Sequence, residues 1–375
     1  MNKIGILTYH YSNNYGGVIQ SYALYSYLTS LGLNVEIINY IPSYVNLDSI
    51  FYETGLRKNI LKMKKADMNP IKLFKRIYIR MKYSKTIINK FDDFRNYNLS
   101  RRVDENSFHE ILNDYHAIIV GSDQVWSPGE RNKKTYFLDY PNYKGLKISY
   151  AADSTVSEIN TNHLARLTKA LKDFDSISVR NEHSHKFAQT LLGKSVPIVV
   201  DPTLLWKFDE YNQKSNEKYI LVYVLGKEIS GTNKKAIEKI KKVYGDMKVY
   251  AIVIPTRKFE KCDYADEVIY DTGPIEWLNM FRNATFVFTD SFHGTLFSIK
   301  FRKPFLAYYA EELRVTRFID LSNRYKIDPF IVNSLEDIDN KNSLNQLPDF
   351  DSIHQLIEKH KESSVEFIRE ALTNH

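Results

Sequence analysis

The chain has 375 residues, of which 43% are hydrophobic, with 14 glycines, 11 prolines and a formal net charge of +7. The length suits two domains rather than one ordinary core, and the composition excludes an intrinsically disordered chain. The single cysteine, Cys262, excludes an internal disulfide and any cysteine-based zinc cluster, and it fits a reducing cytoplasm. No run approaches the roughly 18 apolar residues that a membrane-spanning helix needs.

The first half of the chain alternates short apolar strands with amphipathic helices. We predict a strand over residues 3–9 rather than a signal peptide, because its apolar run is short and no cleavage site of small residues follows. A helix over 18–31 and a strand over 34–40 complete a β-α-β unit with buried, parallel strands. Regular α/β structure resumes at 116–123, with further strands at 147–152, 176–180 and 197–201.

A strongly basic segment, residues 57–90, interrupts this pattern. It holds twelve Lys or Arg against one acid, Asp67, so its net charge is +11 and that of the remaining chain is 7 − 11 = −4. Apolar residues at helical spacing predict a basic amphipathic helix within an insertion at 50–95. Two interpretations stay open. We slightly favour a solvated helix packed on its own domain over a surface that docks on anionic lipid or an anionic polymer. No base-reading motif accompanies the charge, so we expect no nucleic-acid partner.

The second half repeats the strand and helix alternation after a polar linker at 209–217. The predicted elements are strand 219–226, helix 232–244, strand 248–254, helix 274–283, strand 285–289, helix 294–302, strand 304–309 and helix 351–373. This pattern predicts an α/β fold of two Rossmann-like domains facing across a cleft, with a C-terminal helix that could cross back. The predicted divisions are residues 1–208, which carry the basic insertion, 218–345, and 351–373.

The candidate chemistry centres on His293, in the turn that follows the strand at 285–289. Such a strand-to-helix turn is where α/β sheets present reactive groups. The helix start offers backbone N–H groups and a positive dipole end to an anion such as phosphate. A histidine beside bound phosphate can move protons near neutral pH. The alternative is a buried histidine behind an ordinary Asp290 or Ser291 helix cap.

Two loops of the first half also follow strands. Gly16 and Gly17 would let the backbone approach a ligand closely, or would simply begin a helix. Asp123 and Trp126 suit a sugar, because a carboxylate binds hydroxyls and an aromatic face covers the C–H side of the ring. The alternative is an N-cap aspartate with a core tryptophan. His10, at the end of the first strand, is a further candidate for the cleft.

Arginines near these loops could bind a carboxylate or phosphate through two parallel bonds. We predict ligand binding for Arg180, which ends the strand at 176–180, and for Arg314. Arg302 and Lys303 are interpreted as charges at a helix C-terminus. The chain lacks the dinucleotide-binding, P-loop and α/β-hydrolase fingerprints and has no metal-ligand cluster, so we predict no cofactor and no metal.

Several segments match a known family in order and spacing. They are Lys3–Thr8 with Asn13–Gly17, Val120–Trp126, Ser178–Glu182, Val200–Leu204, and Thr289–Gly294 with Lys303–Phe305. Together they resemble the polysaccharide pyruvyl transferase family over nearly the whole chain. The resemblance implies a GT-B architecture and transfer of a pyruvyl group from phosphoenolpyruvate onto two hydroxyls of one sugar, giving a cyclic ketal and phosphate.

The resemblance also implies residue roles, with His293 as the acid/base group. It also implies that Arg180 holds phosphoenolpyruvate. Arg314, by its position, and Ser291, Gly294 and Thr295 at the helix start are the further residues that we predict to bind this donor. We predict that the acceptor sugar is bound by Asn14, Gly16, Gly17, Asp123 and Trp126. Many family members carry an arginine two residues before the histidine, where this chain has Ser291. Either Arg314 or Arg317 would then replace it, or the donor would bind in a different position.

These observations lead to an expected function. We expect a cytoplasmic pyruvyl transferase, peripheral at the inner membrane face if the basic segment docks there. Its substrate would be a cell-surface polysaccharide precursor that could be lipid-linked. Two alternatives stay open, namely a nucleotide-sugar glycosyltransferase of the same architecture and a non-catalytic carbohydrate-binding protein.

Overall fold

The computed structural model describes residues 2–45, 70–127, 133–154, 161–254, 262–310 and 312–373. The α-helices in chain order are α1 (Tyr15–Ser30), α2 (Pro70–Phe94), α3 (Lys133–Tyr136), α4 (Thr161–Lys172), α5 (Glu182–Leu192), α6 (Pro202–Leu205), α7 (Asn233–Tyr244), α8 (Pro274–Asn283), α9 (Phe292–Lys300), α10 (Glu312–Tyr325), α11 (Leu335–Asn340) and α12 (Phe350–Thr373). The strands are β1 (Lys3–Leu7), β2 (Asn34–Ile37), β3 (Ala117–Val120), β4 (Leu146–Ala152), β5 (Ser176–Val179), β6 (Tyr219–Tyr223), β7 (Lys248–Ile252), β8 (Glu267–Ile269), β9 (Phe286–Thr289), β10 (Phe305–Tyr308) and β11 (Ile331–Val332).

The chain divides into two compact units. The first unit comprises Met1–Ser43, Arg95–Phe208 and His354–His375, and the second comprises Tyr44–Phe94 and Asp209–Ile353. Each contains one sheet in which every strand pairing is parallel. The prediction of two Rossmann-like α/β domains is therefore confirmed. No helix in the described part of the chain is long and apolar enough to cross a bilayer.

The first sheet has the strand order β2-β1-β3-β4-β5. Its central strand β3 is buried along its whole length, as expected of a parallel strand covered on both faces. Leu7 pairs with Val120, and Ala152 pairs with Val179, so neighbouring strands end at the same level. The loops after β1, β3, β4 and β5 consequently begin side by side at one edge of the sheet.

The second sheet has the order β11-β10-β9-β6-β7-β8. Strands β6 and β9 are entirely buried at its centre. Thr289, the last residue of β9, pairs with Tyr223 on one side and with Ala307 on the other. The loops after β6, β9 and β10 therefore start at adjacent positions, and the middle one leads into α9, whose first turn carries His293.

Several element boundaries differ from the sequence-based prediction. Helix α1 begins at Tyr15 rather than at residue 18, because the Asn14 side chain accepts the Gly16 amide at 3.1 Å and caps the helix. The predicted strand at 197–201 is only an isolated bridge between Val179 and Ile198. Here Pro197 has no N–H to donate to a ladder, and α6 begins with a proline at residue 202. The sequence analysis gave no range for strands β8 and β11 or for helices α3, α4, α5, α6, α10 and α11.

The described part of the basic segment, α2, is grouped with the second unit, whereas the predicted boundary placed it inside residues 1–208. Its C-terminal half packs through buried Ile87 and Phe91. Lys90 Nζ lies 2.7 Å from Glu276 Oε1 and donates to Asp271 O at 2.8 Å, and Tyr83 stacks on Tyr270 with ring centroids 5.5 Å apart. These contacts come from residues nearly 200 positions away in sequence, which a local pattern cannot reveal.

Helix α12 is grouped with the first unit from His354 onward. The Ser364 hydroxyl is fully buried and accepts the Val200 amide at 2.9 Å, while Ile368 and Ala371 are buried beside it. The C-terminal helix is therefore part of the first unit's core although the chain reaches it from the second.

His10 follows β1 and is enclosed by its own unit, with 1% of its surface exposed. Nδ1 lies 3.3 Å from Thr8 O, and Nε2 lies 3.1 Å from Asn39 Oδ1. Burial lowers the pKa of His10 to about 4 in spite of these hydrogen bonds, and the positive charge of Arg95 lowers it further. The structure therefore places His10 in the interior as a neutral ring rather than in a ligand-binding position.

We predict that His10 makes the free energy of unfolding depend on pH between 6.5 and about 4. The unfolded chain takes up a proton in this window and the folded chain does not, so the contribution is complete above pH 6.5 and is lost as pH falls toward 4. A pKa fall from 6.5 to about 4 corresponds to roughly 3 kcal/mol. Urea unfolding across this range should show a flatter pH slope for His10→Asn, while His109→Asn, at an exposed position, should keep the wild-type slope. An unchanged slope for His10→Asn would contradict the prediction.

Candidate functional site

The turn after β9 places His293 in the first turn of α9. Ser291 is the N-cap, and its Oγ accepts the Gly294 amide at 3.2 Å. Helix α9 therefore starts at Phe292, two residues earlier than predicted. His293 is partly exposed, whereas Phe292 and Gly294 on either side of it are buried. The ring is therefore neither fully enclosed nor fully open, because its Nε2 atom is buried while the residue as a whole is partly exposed.

Asp290 ties this turn to the neighbouring loop. Its Oδ1 accepts the Leu225 amide at 2.6 Å, and its Oδ2 accepts the Gly226 amide at 2.7 Å. These two residues lie in the loop that follows β6, and Asp290 itself is only 3% exposed. A carboxylate bound by two backbone amides is a strong, charge-assisted link. Asp290 thus holds the loops after β6 and β9 together beside His293.

Gly294 is required by the packing of the turn. The Thr289 hydroxyl donates to Tyr223 O at 2.6 Å and accepts the Ser291 amide at 3.1 Å. A Cβ added at Gly294 would lie 2.4 Å from that hydroxyl oxygen, closer than any real contact. Only glycine therefore lets α9 start this close to the end of β9.

The other residues predicted to bind the donor have internal partners or lie outside what can be described. Thr295 is fully buried, and its hydroxyl donates to Ser291 O at 3.0 Å. The hydroxyls of Ser291 and Thr295 therefore make hydrogen bonds within the helix start. The Arg314 side chain lies outside the described residues, although its position on α10 follows β10 directly. Arg317, on the same helix, is half-buried.

Arg180 is enclosed by carboxylates in the first unit. It is 2% exposed, its Nη2 forms an ion pair with Asp153, and its Nη1 donates to Asp201 Oδ2 at 3.1 Å. Nη2 also lies 3.9 Å from Asp123 Oδ1. Burial by itself would lower the pKa of the guanidinium, but the three carboxylates outweigh it and raise that pKa. Arg180 was predicted to hold the donor, whereas the structure commits both of its terminal nitrogens to neighbouring aspartates.

These three aspartates differ in the hydrogen bonds that they accept and in their exposure to solvent. Asp153 Oδ1 accepts from Asn181 Nδ2 at 2.9 Å, and Asp201 Oδ1 accepts from Thr203 Oγ1 at 2.7 Å. Both carboxylates are almost fully buried, whereas the Asp123 side chain is 18% exposed. Asp123 is therefore the carboxylate of the group that solvent can reach. Residues 120–126, 178–182 and 200–204, which carried the family resemblance, meet in this cluster.

Trp126 lies in the core and not at a ligand surface. Its ring is fully buried and stacks on Phe137 with centroids 5.6 Å apart, and its Nε1 donates to Tyr136 O at 3.1 Å. A sugar ring cannot reach this indole, so the structure supports the core alternative. Asp123 caps no helix; its Oδ1 accepts the amide of the next residue, Gln124, at 2.9 Å.

The start of α1 lies against Asp123. A Cβ added at Gly17 would be 3.3 Å from Asp123 Oδ2. The structure therefore brings Gly17 and Asp123, two of the predicted acceptor-binding residues, together, with Asn14 and Gly16 on the same helix start. In the described part of the chain, no group of three His, Cys, Asp or Glu has an arrangement that could hold a metal ion.

Arg95 contacts the loop between β1 and α1, a role that sequence reasoning missed. Its Nε donates to His10 O at 2.9 Å, and its Nη2 donates to Ser12 O at 2.9 Å and to Asn13 Oδ1 at 2.7 Å. It therefore fixes the path of the chain between β1 and α1. Nothing near Arg95 in the sequence signals this role, because the loop lies more than 80 residues away.

The whole chain is similar in fold to solved structures of sugar-nucleotide enzymes. A UDP-GlcNAc 2-epimerase from Neisseria meningitidis bound to UDP-GlcNAc matches with a TM-score of 0.52 at 10% identity, covering 100% of both chains. The S. aureus MnaA-UDP co-structure gives 0.52 at 14% identity, covering 99% of this chain and 97% of the other. Arabidopsis thaliana UGT89C1 complexed with quercetin gives 0.50 at 13% identity, covering 98% of each. At these identities the likeness shows the fold alone, which is that of GT-B proteins.

Sequence comparison identifies the family, which the likeness in fold does not. No curated protein sequence matches the chain. The model of one family, described as polysaccharide pyruvyl transferase, matches residues 14–311 and so spans the His293 turn, the Arg180 cluster and the start of α1. With most of its length covered by that match, the chain belongs to the polysaccharide pyruvyl transferase family.

Proposed function

We propose that this chain transfers the pyruvyl group of phosphoenolpyruvate to two hydroxyls of a sugar in a cell-surface polysaccharide precursor, forming a cyclic ketal. Family membership supports the reaction class. The observation that carries the proposal is the position of His293, partly exposed in the first turn of α9 at the carboxyl edge of the second sheet. Ligands of open α/β sheets bind at this edge.

The proposed reaction needs one proton transfer to carbon. Carbon C3 of phosphoenolpyruvate must gain a proton so that C2 becomes electrophilic. One sugar hydroxyl then attacks C2, the C2–O bond to phosphate breaks, and the second hydroxyl closes the ketal. Of the two hydroxyl protons, one balances the proton gained at C3 and the other leaves with phosphate. We assign the proton delivered to C3 to His293, because an imidazole can act as a general acid.

The start of α9 also suits the charge of the donor. A helix N-terminus favours an anion through its backbone amides and dipole. The turn carries no carboxylate of its own that would repel the donor apart from Asp290, which two amides already bind. Arg314 follows the adjacent strand β10, and we propose it as the main side-chain cation for phosphoenolpyruvate in place of the arginine that Ser291 replaces.

We predict that His293→Ala lowers the turnover number for phosphate release from phosphoenolpyruvate plus sugar acceptor at least about 100-fold, since general acid catalysis contributes that much. The unfolding midpoint should stay near the wild-type value because the ring is partly exposed. His109→Ala, at an exposed position of the first unit, is the matched control.

The same assay separates the alternatives. Activity within fivefold of wild type for His293→Ala would overturn the role of His293, and a carbohydrate-binding protein would release no phosphate at all. A glycosyltransferase would instead require a nucleotide sugar and release a nucleotide. Only phosphate release that depends on both phosphoenolpyruvate and the acceptor supports the proposal.

We predict that Arg314→Ala raises KM for phosphoenolpyruvate about 10- to 100-fold, the equivalent of one hydrogen bond to a charged group. Arg317→Ala tests the neighbouring candidate on the same helix. Arg369→Ala, whose side chain is 69% exposed on α12, is the control. A KM for phosphoenolpyruvate that is unchanged in Arg314→Ala would remove this residue from the donor site.

We further propose that the basic segment 57–90 attaches the enzyme to the inner membrane face, where a lipid-linked acceptor would be found. Its charge of +11 supports this. On α2, Lys82 and Lys85 are exposed, and the Tyr78 ring is 56% exposed. Residues 57–69 lie outside the described part of the chain. Basic residues and an aromatic ring suit an anionic lipid surface.

Reversing the charge at Lys72, Lys75, Arg76 and Arg80 should abolish cosedimentation with vesicles containing anionic lipid, since each basic residue near the surface contributes about 1 kcal/mol. The control reverses four exposed lysines elsewhere, namely Lys234, Lys235, Lys242 and Lys359. The idea fails if the four changes on α2 leave vesicle binding and turnover on a lipid-linked acceptor unaltered.

A further inference from the structure

A pocket of about 390 Å³ lies at the surface of the first unit, beside the edge strand β5. We call it the β5 pocket. Its apolar lining includes Ile177 of β5, Leu192 at the end of α5, and Pro197. Ile177 and Leu192 pack on the core but are only partly buried, so some of their apolar surface stays open. Sites for small molecules have volumes of about 300–1,000 Å³ and mostly apolar walls, and this pocket falls in that range.

The β5 pocket lies at the opposite edge of the sheet from the Arg180 cluster. Helix α4 ends beside it at Lys172, and α5 ends beside it at Leu192. Helices that connect parallel strands bring the chain back to the amino edge of the sheet. Arg180 follows the other, carboxyl end of β5. A molecule in the β5 pocket would therefore leave the carboxyl edge open to a different ligand.

Hydrogen bonds hold the wall of the pocket that follows α5. His185 Nδ1 lies 2.8 Å from Val196 O. The Val179 amide donates to Pro197 O at 3.0 Å, and Val179 O accepts the Val199 amide at 2.9 Å. This wall is therefore tied both to α5 and to β5. A pocket that is formed in advance binds its ligand at a smaller cost in conformational entropy.

Two lysines give the pocket a positive charge. Lys172 and Lys194 line it together with one acid, Asp175, so the formal charge of the lining is 2 − 1 = +1. Asp175 accepts the Lys147 amide at 2.7 Å, and Asp173 forms an ion pair with Lys147. Within the described part of the chain, neither Lys172 nor Lys194 makes a hydrogen bond or an ion pair. Two exposed ammonium groups are therefore open to an anion beside apolar surface.

We propose that the β5 pocket binds an amphiphilic anion, meaning a small molecule with one anionic group on a short acyl chain or an aromatic ring. Lys172 and Lys194 contact the anionic group, and Ile177, Leu192 and Pro197 cover the apolar body. A small polar anion would leave this apolar surface in water, and a neutral apolar molecule would leave both lysines without an opposite charge. This site goes beyond the proposed function and does not rest on it.

Octanoate is the probe for this site, and isothermal titration calorimetry on the full-length chain measures its binding. We expect saturable binding at one site with a Kd below about 1 mM. Butanoate should bind at least about tenfold more weakly, because burial of each additional CH₂ group strengthens binding. Octan-1-ol has the same chain without the charge and should bind at least about threefold more weakly than octanoate.

Variants at exposed positions test the site with little risk to folding. Lys172→Gln combined with Lys194→Gln should raise the Kd of octanoate about tenfold and change that of octan-1-ol less than about twofold. Lys169→Gln combined with Lys186→Gln is the control, because these exposed lysines of α4 and α5 do not line the pocket. Ser195→Glu adds a negative charge to the lining and should weaken octanoate binding at least about threefold, whereas Ser195→Gln should bind as wild type does.

Brief acetylation with acetic anhydride, followed by peptide mass spectrometry, locates the bound probe. Octanoate should slow acetylation at Lys172 and Lys194 and leave Lys169 and Lys186 unchanged. The proposal is overturned if the wild-type chain shows no saturable binding below about 10 mM octanoate. It is also overturned if the control pair weakens binding as much as the pocket pair does, or if bound octanoate protects neither Lys172 nor Lys194. None of these outcomes involves phosphoenolpyruvate, so the proposed function is tested separately.

Discussion

Parallel strand pairing is the constraint on which both candidate sites depend. In each sheet, neighbouring strands end in register, so the loops that follow them start side by side. Residues far apart in sequence, such as Gly17 and Asp123, meet for this reason. An antiparallel pairing would send alternate loops to the opposite edge and would separate them. The strand order therefore decides which loops lie side by side, and hydrogen bonds and ion pairs of the side chains then fix the positions of these loops.

In the first unit, a buried cluster of charged side chains fixes the loops that follow three of the strands. Arg180 follows β5, Asp153 follows β4 and Asp123 follows β3, so one guanidinium links the ends of three adjacent strands. Removing one partner of such a buried pair would leave an uncompensated charge, at a cost of about 3–5 kcal/mol. The arginine therefore acts through position, by fixing the carboxylates around it. Asp123, at the rim of the cluster, is the carboxylate that solvent reaches.

In the second unit, backbone amides perform the corresponding task. Asp290 holds the loop after β6, Thr289 fixes the end of β9, and Ser291 caps α9. Each of these polar groups has a partner in the turn, at the end of β6 or in the loop after β6, and His293 is the partly exposed titratable side chain beside them. The two units thus use the same edge of a parallel sheet in different ways. The first places carboxylates there, and the second places an imidazole at a helix start.

Local sequence determined the elements and the family, because strand and helix periodicity and cap residues depend on neighbours a few positions away. It placed β1, β6, β9 and α8 within about three residues, and it predicted the strand-to-helix turn in which His293 lies. It could not determine the partners of Arg180, the burial of Trp126, the role of Arg95 or the unit to which α2 belongs. Each of these depends on residues that come together only when the sheets form. A charge near a loop can bind a ligand or a carboxylate of its own chain, and only the tertiary structure shows which one lies beside it.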